Sequence, residues 1–117
     1  MKIDSIKAVS SQTCSPILFS LSMTKLVSLK FEVFGRVQGV FFRKYAVGKA
    51  RGYKLVGWVR NTSRDTVEGV AQGEHKKIQE YKHWLRYEGS PKSEVTDAKF
   101  EEKEIEELEY EDFEVRH

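Results

Sequence analysis

Between residues 27 and 33, apolar and polar side chains alternate: Val27, Leu29, Phe31 and Val33 interleave with Ser28, Lys30 and Glu32. A period of two puts every second side chain on one face, so this segment predicts a half-buried strand. Beyond Gly35-Arg36-Val37-Gln38-Gly39 the period lengthens. Phe42, Tyr45, Ala46 and Ala50 recur at i, i+3, i+4 and i+8 and predict a helix that ends near Gly52, with Tyr45 on its apolar stripe. Residues 55–61 are apolar and β-rich around Trp58, residues 62–65 form a polar turn, and residues 66–72 a third strand, which together predict a hairpin. Ile78, Tyr81 and Leu85 then mark a second helix, bounded by Gly73 and by Gly89-Ser90-Pro91. A fourth strand is expected over residues 95–100 and a short fifth over residues 113–116. The order is βαββαβ with an additional C-terminal strand. Two right-handed crossovers place both helices on one face of a mainly antiparallel sheet, an α+β two-layer sandwich.

Length and composition agree with one such domain. The chain has 117 residues, 39% of them hydrophobic and 2 of them proline, enough for one core. Residues 1–24 are rich in Ser and Thr and lack periodicity, and are expected to be a disordered extension ahead of a domain spanning residues 25–117. Their apolar piece, residues 16–23, is too short and too interrupted for a secretory signal, and a start at Met23 would remove nearly all of the extension. The single cysteine, Cys14, excludes an intrachain disulfide, and no apolar run approaches the roughly 20 residues that cross a membrane. A cytoplasmic, monomeric protein without membrane contact is therefore expected.

The net charge of +2 hides two opposed halves. Residues 24–64 carry ten basic side chains against the single acid Glu32, whereas residues 92–117 carry eleven acids against four bases. The basic half suits a small anion, because summed like charge raises its local concentration. The acidic run over residues 101–114 reads as a solvated face or loop that offsets the basic half.

The basic half also holds the residues that carry chemistry. Gly35 to Val40 join a strand to a helix N-terminus, where the first-turn N–H groups lack partners and glycines let the preceding loop turn its own N–H groups to the same point. A Gly pair between strand and helix is also simply a tight turn, so the loop alone is a weak signal. Arg43 sharpens it. A guanidinium at the positive end of a helix is unfavourable unless an anion offsets it, and its planar fork can hold two phosphate oxygens. Asn61 ends the second strand, which the crossover makes parallel to the first, so both emerge at the same edge of the sheet. With one strand between them the gap is about 10 Å, room for Arg43, a phosphate and a water. Asn is also a common turn former, and Asn61-Thr62-Ser63 matches a glycosylation sequon, discounted because nothing points to secretion.

Phe34-Gly35-Arg36-Val37-Gln38-Gly39-Val40-Phe41-Phe42-Arg43, followed by Gly57-Trp58-Val59-Arg60-Asn61-Thr62, closely resembles the acylphosphatases, and the resemblance runs from about residue 27 through Gly89-Ser90-Pro91 and Leu108-Glu109-Tyr110. It implies a ferredoxin-like fold of strand order 4-1-3-2 and hydrolysis of a small acyl phosphate to a carboxylate and inorganic phosphate, with no cofactor or metal. On the matching positions, Arg43 and Asn61 are the implied catalytic residues, Asn61 orienting the attacking water. Gly35, Arg36, Val37, Gln38, Gly39, Val40 and Arg43 are the implied phosphate-binding set. Phe41 stands where other residues occur in the family.

The remaining candidates are plainer. His75, His83 and His117 are scattered without metal-ligand spacing. Trp58 and Trp84 are expected in the core. Arg36 and Arg60 are expected to steer anions as surface charges, and Ser63 and Thr66 to support the turn. Two other functions share the element order: an RNA-binding module, whose third strand should carry stacking aromatics that residues 66–72 lack, and a phosphate-binding regulatory domain without turnover.

Overall fold

The computed structural model describes residues 25–117, and the expected extension over residues 1–24 lies outside them. Alternation in the first strand acts as its period requires: in β1 (Leu26–Arg36) Val27, Leu29, Phe31 and Val33 are all buried. Helix α1 (Phe42–Gly52), the hairpin strands β2 (Val56–Asn61) and β3 (Val67–Glu74), helix α2 (His75–His83) and strands β4 (Glu94–Ile105) and β5 (Phe113–Val115) follow. The sheet order is β4-β1-β3-β2-β5, the implied 4-1-3-2 arrangement with β5 added parallel to β2. Both β1 and β2 are antiparallel to the intervening β3, so they run parallel to each other and release the chain at the same end of the sheet. That end carries the site.

Tyr81 of α2 holds the two layers together. Its fully buried ring packs edge-on against Phe31, Tyr53 and Phe113 and stacks on Trp84. A hydroxyl buried among these rings needs a partner, and it donates to the Ala46 carbonyl of α1 at 2.9 Å. Burial raises the Tyr81 pKa, so the phenol stays protonated and the bond between the helices persists. Gly69 opposes Phe31 across the β1–β3 ladder, where a Cβ would come within 2.6 Å of the ring edge.

Four expectations require correction. Tyr45 does not join the apolar stripe of α1; Val47 does, and Tyr45 is exposed, because the turn of the helix sets Val47 toward the sheet beside Ala46 and Ala50. Trp84 is buried as expected, but Trp58 lies half-buried on the sheet face away from the helices, where its indole N–H donates to the Tyr110 hydroxyl and Arg60 and Arg116 stack on it. The second helix is regular only over α2 and closes through one π-helical turn, Trp84–Glu88, that keeps both Trp84 and Leu85 inside. Strand β4 extends five residues past Phe100. Its polar end is held by backbone pairing with β1 and by the Lys25–Glu104 and Lys82–Glu102 ion pairs, so the first part of the acidic run is strand rather than loop.

Strand β1 ends in a bulge. The β1–β4 register shifts between Phe34 and Gly35, and Gly35 adopts φ +119°, a region that disfavours side chains. A Cβ there would lie 2.0 Å from the Glu94 carbonyl oxygen, backbone that cannot swing away. Gly35→Ala is therefore expected to cost about 2–4 kcal/mol in urea unfolding. Gly48, exposed on α1 with nothing within 4 Å of its Cβ position, gives the opposite sign: Gly48→Ala should add about 0.5–1 kcal/mol. Equal effects at the two glycines would contradict this account of the bulge.

Candidate active site

The end of β1, the start of α1 and the end of β2 border one open cleft of about 680 Å³, lined among others by Gly39, Phe41, Arg43, Val47, Asn61 and Val115. On one side stands the loop of residues 37–41 with α1; on the other stand β2 and β5.

The loop side is rich in unused donors. Among the described residues, the N–H groups of residues 37–41 donate to no protein acceptor. Gly39 has φ +75° and open space around its Cβ position, which lets the backbone come close to a bound group. Helix α1 starts at Phe42 with no side-chain cap and no acid in its first turn; Arg43 and Lys44 sit there instead. Two cations at the positive end of a helix oppose the dipole, so folding alone does not account for them. Neighbouring arginines are neutralised within the chain: Arg51 by Asp112, Arg60 by Glu68, Arg64 by Glu32. Arg43 takes part in none of the ion pairs among the described residues.

Asn61 presents the complementary group. Its side-chain oxygen Oδ1 is buried and accepts no hydrogen bond among the described residues. Buried acceptors are almost always satisfied, so this one singles out Asn61, a residue of the cleft lining, as a polar group that the fold itself does not use. The turn that carries Asn61 is fixed from three directions. Thr66 Oγ1 donates to Glu32 Oε2 at 2.6 Å and therefore accepts from Thr62 Oγ1, also at 2.6 Å. Thr62 Oγ1 in turn accepts from the Arg64 and Thr66 amides. The Thr66 hydroxyl first, then Arg64, hold the Glu32 carboxyl below its ordinary pKa. From the loop side, Gln38 Nε2 donates to the carbonyls of both Thr62 and Thr66 at 2.9 Å, tying the loop that leads to Arg43 to the turn that follows Asn61.

The residues singled out from the sequence are thus distributed unevenly. Arg43, Asn61, Val37 and Gly39 line the cleft together. Gly35 and Arg36 are still strand, paired with Val95 and Glu94. Gln38 spends its side chain on the turn, and the Val40 carbonyl accepts from Ser90 Oγ at 2.8 Å. Arg60 is committed to Glu68 rather than left as a steering charge. His117 borders the cleft, while His75 and His83 are exposed elsewhere. Sequence reasoning missed Gln38 as a tie and Glu32 as the anchor beneath the turn; the one available signal was Thr62 and Thr66 facing each other across a tight turn.

Comparison with known proteins matches this architecture over most of the chain. The family model described as Acylphosphatase matches residues 29–115, most of the chain. Acylphosphatase-1 of Gallus gallus is 54% identical over 92 residues, covering 78% of this chain and 93% of that relative. Acylphosphatase-2 of Mus musculus is 50% identical over 98 residues, 82% of this chain and 92% of the relative. An acylphosphatase structure from Coxiella burnetii superposes with a TM-score of 0.72 at 39% identity, covering 82% of this chain and all of that one. The matched span contains the loop, Arg43 and Asn61 together, and the chain belongs to the acylphosphatase family.

Proposed function

We propose that Arg43 and the amides of residues 37–40 hold the phosphoryl group of an acyl phosphate while Asn61 holds the water that attacks it. As a member of its family the chain is a hydrolase that splits acyl phosphates into a carboxylate and inorganic phosphate. The division of labour between the two residues rests above all on one observation: Asn61, whose buried Oδ1 accepts no hydrogen bond among the described residues, lines the same cleft as Arg43, which takes part in none of the ion pairs among them. Gly35 and Arg36, at the end of β1, shape the entry to the loop, and Gln38 keeps the two halves in register.

The chemistry suits so sparse a site. The water oxygen forms a bond to phosphorus as the bond from phosphorus to the acyl oxygen breaks, and its electron pair leaves with the carboxylate. That leaving group has a conjugate acid pKa of about 4 and departs without protonation. The transition state is loose, so the protein's task is to place charge and align the water. Arg43 and the amides supply positive charge in fixed positions; Asn61 Oδ1 accepts a hydrogen bond from one O–H of the water, which stays on the new P–OH, while the other proton passes to a phosphoryl oxygen. No side chain has to act as a base. The protein works as a cytoplasmic monomer on a small substrate, and a single cysteine is compatible with a reducing compartment.

Hydrolysis of benzoyl phosphate in ¹⁸O-labelled water, with a chelator present, tests the reaction. The label should enter inorganic phosphate and not benzoate, at an unchanged rate, with inorganic phosphate as a competitive inhibitor. Label in benzoate, or loss of turnover on chelation, would sink the scheme.

A further inference from the structure

Phe41 is a residue that folding does not explain. It lies at the N-cap of α1 with φ 60° and ψ 22°, the left-handed region that an aromatic side chain seldom enters, yet 71% of it is exposed, the largest exposure among the bulky apolar residues described. The backbone is strained and the ring gains almost no burial in return. It stands on the wall of the cleft between Gly39 and Arg43, with Val47 further along the same wall.

We propose that Phe41 selects the acyl group, favouring acyl phosphates with an aromatic or bulky apolar acyl portion over those with a small one. The inference rests on the proposed division of labour at the site. Attack in line requires the leaving group to depart opposite the water. Asn61 belongs to the β2–β5 wall, so the acyl group leaves toward the wall of the loop and α1, where the exposed ring offers it an apolar face. A benzoyl ring reaches that face and stacks on it; an acetyl methyl is too short to do so.

The test compares benzoyl with acetyl phosphate as substrates of the wild type, Phe41→Asn and Phe41→Tyr. Asn tolerates the left-handed backbone and removes the ring, whereas Tyr keeps the ring. The ratio of kcat/KM for benzoyl over acetyl phosphate should fall about tenfold in Phe41→Asn, mainly through KM for benzoyl phosphate, and stay within about twofold of the wild type in Phe41→Tyr. An unchanged ratio in Phe41→Asn, or equal losses on both substrates, overturns the role of Phe41 while leaving the catalytic reading intact. A wild-type protein that hydrolyses neither substrate overturns both.

Discussion

Arg43→Gln is expected to lower kcat/KM for benzoyl phosphate by on the order of 10² to 10³, the loss measured when one preorganised charge-stabilising donor is removed. Gln keeps much of the length and can still donate, but it has neither the charge nor the two-pronged geometry that matches a phosphoryl group. The same substitution should leave the fold intact or strengthen it. Arg43 takes part in none of the ion pairs among the described residues and sits in the first turn of α1 beside Lys44. Removing a cation from the positive end of a helix is worth about 0.3–1 kcal/mol. Activity and stability therefore move in opposite directions, a signature that general damage to the protein does not produce. Urea unfolding beside steady-state kinetics reads both, and an Arg43→Gln protein with ordinary turnover would remove the anion site from the scheme.

Asn61→Ala carries the second large effect. With the carboxamide gone, water still enters the cleft but is no longer aligned with the phosphorus–oxygen bond that breaks, and kcat should fall by about 10² or more. The fold has little to lose here too. Oδ1 accepts no hydrogen bond among the described residues, so its removal breaks none there. Thr62, Thr66, Glu32 and Gln38 continue to hold the turn, since none of their hydrogen bonds involves the Asn61 side chain. Near-normal kcat in a folded Asn61→Ala protein would mean that the attacking water is placed by something else.

Much of the architecture was legible because local pattern and tertiary demand coincide. In β1 the alternation of Val27, Leu29, Phe31 and Val33 faces a helical layer directly, so period and burial agree. The parallel relation of β1 and β2 follows from the helical crossover between them, and it brings the loop and Asn61 to one end of the sheet. Elsewhere a neighbour distant in sequence decides. Trp58 looks like a core residue by composition, but its strand position turns it to the outer face, where Tyr110 and Arg116 receive it. The polar half of β4 has no apolar period to announce it; its pairing with β1 is a matter of backbone hydrogen bonds and of Lys25 and Lys82 lying opposite its carboxylates. Tyr45 and Val47 differ by a rotation of the helix that sparse apolar residues cannot fix in advance.

The site divides in the same way. Arg43 stood out because its charge opposes the helix dipole, and Asn61 because topology delivers it to the loop. Gln38 was grouped with the phosphate-binding positions by resemblance, yet its side chain is occupied with Thr62 and Thr66. A glutamine directly before Gly39 gives no hint of which way its amide turns. Nor does a lone Glu32 in a strand reveal that a hydroxyl chain from Thr62 through Thr66 ends on it.

The claim that one residue grips the anion while the other places the water is tested most directly by measuring competitive inhibition by inorganic phosphate alongside kcat in the two single variants. Asn61→Ala should keep the phosphate inhibition constant of the wild type while losing turnover, and Arg43→Gln should lose phosphate binding together with turnover. If Asn61→Ala released phosphate as completely as Arg43→Gln does, or if Arg43→Gln still held it, the assignment of the two roles would be contradicted.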